Sequence, residues 1–141
     1  MRRRDLKSIL PLAGAVMMAN PAAAQPAALP SKVFPFDQLP VRTNGRNRSR
    51  AVLNGKTRSG YRIEMHHTEL APGLAPHAPH QHVHEEIVVV REGTLEVTIK
   101  ESVSTLGPGD LAYVASNEFH GWKNVGSTQA HYLVITLGRE S

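Results

Sequence analysis

The sequence predicts an all-β fold, a small sandwich or barrel, and three observations carry that prediction. Beyond Ala51, short runs of β-branched and apolar residues recur, with no stretch of ten or more at helical spacing. Turn signals separate the runs, at Pro72-Gly73, Arg91-Glu92-Gly93 and Gly107-Pro108-Gly109. One run alternates, with Leu95, Val97 and Ile99 set against Thr94, Glu96, Thr98 and Lys100, as a strand with one wet face requires. A chain of 141 residues allows one such domain around a single core.

The chain opens with a basic head, Arg2-Arg3-Arg4-Asp5-Leu6-Lys7, a moderately apolar stretch from Ile9 to Ala19 and a small-residue run, Ala22-Ala23-Ala24. That order predicts a secretory signal peptide over residues 1–24, and the head resembles a twin-arginine export signal. The apolar stretch, interrupted by Pro11, Gly14 and Asn20, is too short to span a bilayer. The expectation is an exported, periplasmic or secreted protein with no membrane contact once the signal is removed. Removing it leaves twelve basic and eleven acidic residues, so the formal charge falls from +4 to +1 and the high pI is largely a property of the leader. Residues 42–62 hold seven Arg or Lys and no acid, but lack interleaved aromatics, so they read as a solvated basic edge and no nucleic-acid partner is expected. The chain has no cysteine, which excludes disulfides and thiolate ligands or nucleophiles.

Residues 25–49, Pro- and Ala-rich and then polar, read as an arm or linker, and residues 50–138 as the domain. The expected strands are AVLNGKT with a turn at Asn54-Gly55, then YRIEMHHTEL, EEIVVVREG, TLEVTIK, LAYVAS and HYLVITL. Ile87 to Val90 is apolar on both faces, which predicts a central strand.

The segment HAPHQHVHEE, residues 77–86, carries four histidines and two glutamates. In a strand, His80, His82 and Glu86 share a face, yet a straight strand would carry Glu86 about 20 Å from His80, whereas ligands of one metal lie about 2 Å from it. Joint ligation therefore requires a bend between His82 and Glu86. A further donor must come from elsewhere, and His120 stands out, just after a Ser116-Asn117-Glu118 turn.

These residues resemble the two motifs of the cupins, G-x5-H-x-H-x3,4-E-x6-G and G-x5-P-x-G-x2-H-x3-N. His80-x-His82-x3-Glu86-x6-Gly93 fits the first, with Gly73 one residue further upstream than the pattern asks. Gly109, His120 and Asn124 fit the second, with Ala115 where proline is usual and Asn117 where glycine is usual. Asparagine tolerates the left-handed conformation that a turn glycine supplies.

The resemblance, over residues 50–138, implies a single jelly-roll β-barrel holding one divalent transition metal on His80, His82, Glu86 and His120. Three neutral imidazoles and one carboxylate leave a divalent ion with a net charge near +1 and two free positions, and suit iron, manganese, nickel, copper or zinc. The implied function is a metal-dependent enzyme of dioxygenase-like or related chemistry on a small organic substrate, with a non-catalytic ligand- or metal-binding protein as the alternative. Cupins often dimerise, so a homodimer in which the arm crosses to a second copy is a further expectation. His77 and His84 read as neighbours of the metal, Trp122 as core, and His66, His67 and His131 as ordinary strand residues.

Overall fold

The computed structural model describes residues 27–139, so the expected signal peptide lies outside the described residues. Nine strands follow a single-turn 3-10 segment at Phe36–Gln38: β1 (Val41–Asn44), β2 (Asn47–Lys56), β3 (Tyr61–Leu70), β4 (Glu85–Glu92), β5 (Leu95–Ile99), β6 (Ser102–Leu106), β7 (Leu111–Val114), β8 (His120–Asn124) and β9 (Ala130–Arg139). They form a six-stranded sheet in the order β1-β2-β3-β9-β4-β7 and a three-stranded sheet in the order β6-β5-β8, with every named pair antiparallel. The all-β jelly-roll expectation is met. Among the described residues, no helix is long and apolar enough to cross a membrane.

The expected central strand is β4, paired on one side with β9 and on the other with β7. Its even residues Glu86, Val88 and Val90 are buried. They meet Leu70 of β3, Tyr132 and Val134 of β9, and Leu95, Val97 and Trp122 of the small sheet to form the core between the layers. Trp122 is a core residue, as expected, and its Nε1–H donates to the Tyr132 hydroxyl at 3.0 Å. Burial pushes the pKa of that hydroxyl up to about 12.

Four local expectations are corrected. The sheet begins at Val41 rather than at residue 50, because β1 is exposed along its whole length and therefore carries no apolar alternation to read. Asn54-Gly55 lies inside β2, paired with Glu64 and Ile63, and the turn is made at Thr57–Gly60, where Gly60 has φ +90°. Gly55 serves a close approach instead, since a Cβ there would stand 2.8 Å from Leu29 of the arm. Strand β6 was not foreseen: it is polar and mostly exposed, and the turn before it uses Lys100 at φ +55° with no glycine or proline to mark it. Finally, His80 and His82 lie on no regular strand. His80 makes a single bridge to His120, and the chain bends at Val83 and His84.

Candidate metal centre

That bend is the one joint ligation requires. Glu86 enters from the large sheet on the buried face of β4, and His120 from the first position of β8 in the small sheet, 0% exposed. His80 is fastened beside His120 by two backbone hydrogen bonds of 2.9 and 2.8 Å, so the histidine segment acts as one more rung of the small sheet. The Ser116-Asn117 turn clasps the same segment: Asn117 N–H donates to His82 O at 2.8 Å and Ser116 Oγ–H to Val83 O at 2.5 Å. Asn117 adopts φ +60°, so asparagine does supply the conformation for which the motif usually has glycine.

The ligating atoms of His80, His82 and His120 lie within 4.8 Å of one another. Glu86 joins them, its Oε2 standing 3.0 Å from His82 Nε2 and 2.9 Å from His120 Nε2. All four residues named from the sequence therefore converge.

The far sides of the rings suit a group that could hold a cation. Nδ1 of His82 faces His84 O at 2.8 Å, Nδ1 of His120 faces Glu118 O at 2.8 Å, and Nδ1 of His80 faces Ala78 O at 3.4 Å. A carbonyl oxygen only accepts, so the ring proton belongs on Nδ1 and the lone pair on Nε2. Those lone pairs then point at a carboxylate, acceptor against acceptor, unless a positive charge sits between them. A divalent metal resolves this conflict and uses every donor atom in the group.

His84 stacks face to face on His82, with centroids 3.7 Å apart and planes at 13°. His77 lies edge-on to His80 at 4.4 Å and reaches Trp122 at 6.0 Å. Both are neighbours of the cluster, not members of it. Burial lowers the pKa of His80 and of His84, which favours neutral imidazoles around the ion.

Two residues beside the centre escaped sequence reading. Register carries Glu86 through Thr136 of β9 to Glu64 of β3 on one face of the sheet, and His66 lies one inward position along β3 from Glu64. His66 Nδ1 is 3.7 Å from Glu64 Oε1. Burial lowers the pKa of His66, while the nearby carboxylates of Glu64 and Glu86 oppose that shift. Ile63 and Met65 make the odd positions of β3 read as its buried face, whereas the core residue Leu70 belongs to the even set, with Glu64, His66 and Thr68.

Asn124, the last residue of the second motif, is fully buried and structural. Its amide donates to Leu70 O at 2.7 Å and Thr128 O at 2.8 Å, and its Oδ1 accepts from Gly126 N–H at 2.9 Å.

Solved structures share this architecture. KdgF from a Halomonas species aligns with a TM-score of 0.66 at 19% identity, covering 77% of this chain and 96% of that one. A Thermus thermophilus protein, TT1209, aligns with a TM-score of 0.64 at 24% identity, over 78% and 100% of the two chains. A predicted oxalate decarboxylase from Thermotoga maritima aligns at 0.67 and 19%, over 75% and 98%. Identities this low speak for the fold alone. No curated protein sequence matches the chain. The Cupin domain family model matches residues 66–136, half of the chain, and the match contains both histidine motifs. Two packed antiparallel sheets, a ligand set drawn from both and this match agree, and the chain belongs to the cupin family.

Proposed function

We propose that this cupin is a metal-dependent oxidoreductase of dioxygenase-like chemistry, acting on a small organic substrate in the periplasm or outside the cell. The observation that carries the reading is the set of Nε2 lone pairs and the Glu86 carboxylate converging on one point while backbone carbonyls hold the far sides of the rings. The leader-like residues 1–24 support export. When bound by His80, His82, Glu86 and His120, the metal would polarise an oxygen ligand or exchange electrons, and would keep two positions for substrate. The chain supplies what surrounds it. Burial lowers the pKa of His66, which favours the neutral ring and makes His66 a candidate proton acceptor beside the centre, with Glu64 Oε1 3.7 Å from its Nδ1. Val88, Val134 and Trp122 close the barrel beneath the ligands against water.

The test is elemental analysis of the mature, untagged protein beside a His80→Ala, His120→Ala variant, followed by oxygen uptake with phenols, diketones and organic acids. Near-stoichiometric iron, manganese or copper that the variant lacks, with substrate-dependent oxygen consumption, is the expected result. Metal retained equally by the variant would sink the ligand assignment. A bound metal with a ligand that stabilises the protein but is never turned over would make it a non-catalytic binding cupin.

A further inference from the structure

We propose that the cleft between β1, β2, β3 and the segment before His77 is a subsite for an aliphatic polyhydroxy carboxylate, anchored by Arg42. The inference deepens the reading above and rests on it only for which end of the ligand reacts.

The cleft has a volume of about 400 Å³ and exists because the two sheets are unequal. Six strands face three, and β1 and β2 form one end of the larger sheet. Register shows what that end presents. Arg42 pairs with Ser49, Ser49 with Thr68 and Thr68 with the core residue Tyr132, so these side chains share one face of the sheet. His66 lies one inward position along β3, in the direction of Glu64 and Glu86.

The charge pattern selects the ligand. On the opposite face, Arg48 and Arg50 are both spent on Glu69, whose carboxyl burial would push up but the two guanidinium groups hold below its usual range. Arg42 has no acidic partner among the described residues, and no carboxylate lines the cleft. A guanidinium on an open wall with no competing acid is a docking point for one carboxylate, which it can grip bidentately.

The rest of the lining selects against aromatic acids. Leu70 and Pro76 are its apolar members, and it contains no Phe, Tyr or Trp on which a flat ring could stack. It offers the hydroxyl of Ser49 and the amide of Asn47, with Thr43 and Asn44 also on its wall, while the Thr68 hydroxyl is hydrogen-bonded to Tyr132. Asn47 Oδ1 already accepts from Ala71 N–H at 3.0 Å, so its NH2 group is left to donate to the ligand. Hydroxyl groups along an aliphatic chain match these partners in kind. His66 lines the cleft and lies next to Glu64 on the face of the sheet that also carries Glu86, so the far end of a ligand anchored at Arg42 is directed along that face toward the candidate metal centre.

The probes are gluconate and glucitol, which share a six-carbon polyol skeleton and differ in the carboxylate. Calorimetric titrations are run on wild type and on the His80→Ala, His120→Ala variant, which removes chelation by metal. Arg42→Ala is made in both backgrounds; Arg58→Ala, an equal charge loss in the exposed β2–β3 turn, is the control. Gluconate should bind both backgrounds at least ~10-fold more tightly than glucitol. Arg42→Ala should remove ~10-fold of that affinity and Arg58→Ala almost none. Equal binding of the two probes, an Arg42→Ala titration matching its parent, or gluconate bound by wild type but not by the metal-free variant would each overturn the subsite. Elemental analysis judges the metal reading separately, and the metal-free titrations stand whichever way it falls.

Discussion

At the scale of the residue, the centre divides into side chains that face the ion and side chains that hold them. His82→Ala and His120→Ala are expected to reduce bound metal to near zero. His84→Ala, which removes a stacked ring and leaves the His84 carbonyl to hold His82 Nδ1, is expected to keep it. Metal content per folded chain decides this, and equal loss in all three variants would refute the division. Asn124 is the contrary case, a motif residue that touches no ligand. Asn124→Ala strands the Leu70 and Thr128 carbonyls and the Gly126 amide, and should cost about 2–3 kcal/mol of stability. Denaturant unfolding would show that loss, while the variant held below its melting temperature should bind metal at the wild-type ratio.

At the scale of the element, the arm behaves as a strap over the outer face of the large sheet. Phe36 packs edge-on against His67 with centroids 5.1 Å apart, tilts against His131 at 5.5 Å and lies 4.5 Å from the Arg50 guanidinium. His67 Nδ1 and His131 Nε2 are shut from solvent without a hydrogen-bond partner among the described residues. Burial lowers the pKa of both imidazoles; the charges of His131, Arg91, Arg50 and His66 lower His67 further, and for His131 Arg91 and Arg50 do so against Glu69 and Glu92.

The sign follows from proton uptake. A histidine whose folded pKa lies below its ordinary value of 6.5 binds more protons when unfolded. Its stabilising share is whole above about pH 6.5 and is lost as pH falls toward the folded value. The melting temperature of the His80→Ala, His120→Ala variant, in which metal release cannot contribute, should fall over that window. Adding His67→Gln and His131→Gln should flatten the decline; an unchanged slope would refute the assignment.

The strap also shows what the sequence could convey. The convergence of His80, His82, Glu86 and His120 was legible because the motif sets them at fixed spacings, and the bend at Val83-His84 followed from distance alone. The boundaries of β3 and the central place of β4 were legible because their apolar residues form continuous runs. The edge elements β1 and β6 were hidden because strands exposed on both faces carry no alternation. Glu64 and His66 were hidden because the half-buried Ile63 and Met65 make β3 apolar on the side away from the core.

At the scale of the whole molecule, the candidate centre ties the two sheets together. Glu86 comes from the six-stranded layer, His120 from the three-stranded layer, and His80 and His82 from the connection that crosses between them. An ion there links elements from Glu86 to His120 without a covalent bond. Binding to the folded state alone should stabilise by about 2.7 kcal/mol at a hundredfold excess over Kd. Treating the metal-loaded protein with EDTA should therefore lower its melting temperature by several degrees, and adding back the native metal should restore it. A melting temperature indifferent to chelation would mean that the ion, if bound, adds nothing to the fold.

The connection from Ala71 to His84 is fastened near its start, at His80 and, through Asn117 and Ser116, at His82 and Val83. Near its start, Gly73 N–H donates to Asn124 O and Asn124 N–H to Leu74 O, each at 2.9 Å, and His80 is then bridged to His120. The chain between those fastenings, Ala75 to Pro79, includes Pro76 on the wall of the cleft and none of the four ligands. Ala78 O faces His80 Nδ1, His77 packs on His80 and Pro79 abuts Gly121, so the freedom to change is confined to Ala75 and Pro76, the latter on the wall of the cleft. A single inserted residue between His80 and Glu86 has no such freedom. In this chain a substitution at Ala75 or Pro76 should reshape the wall of the cleft and leave His80, His82, Glu86 and His120 in place.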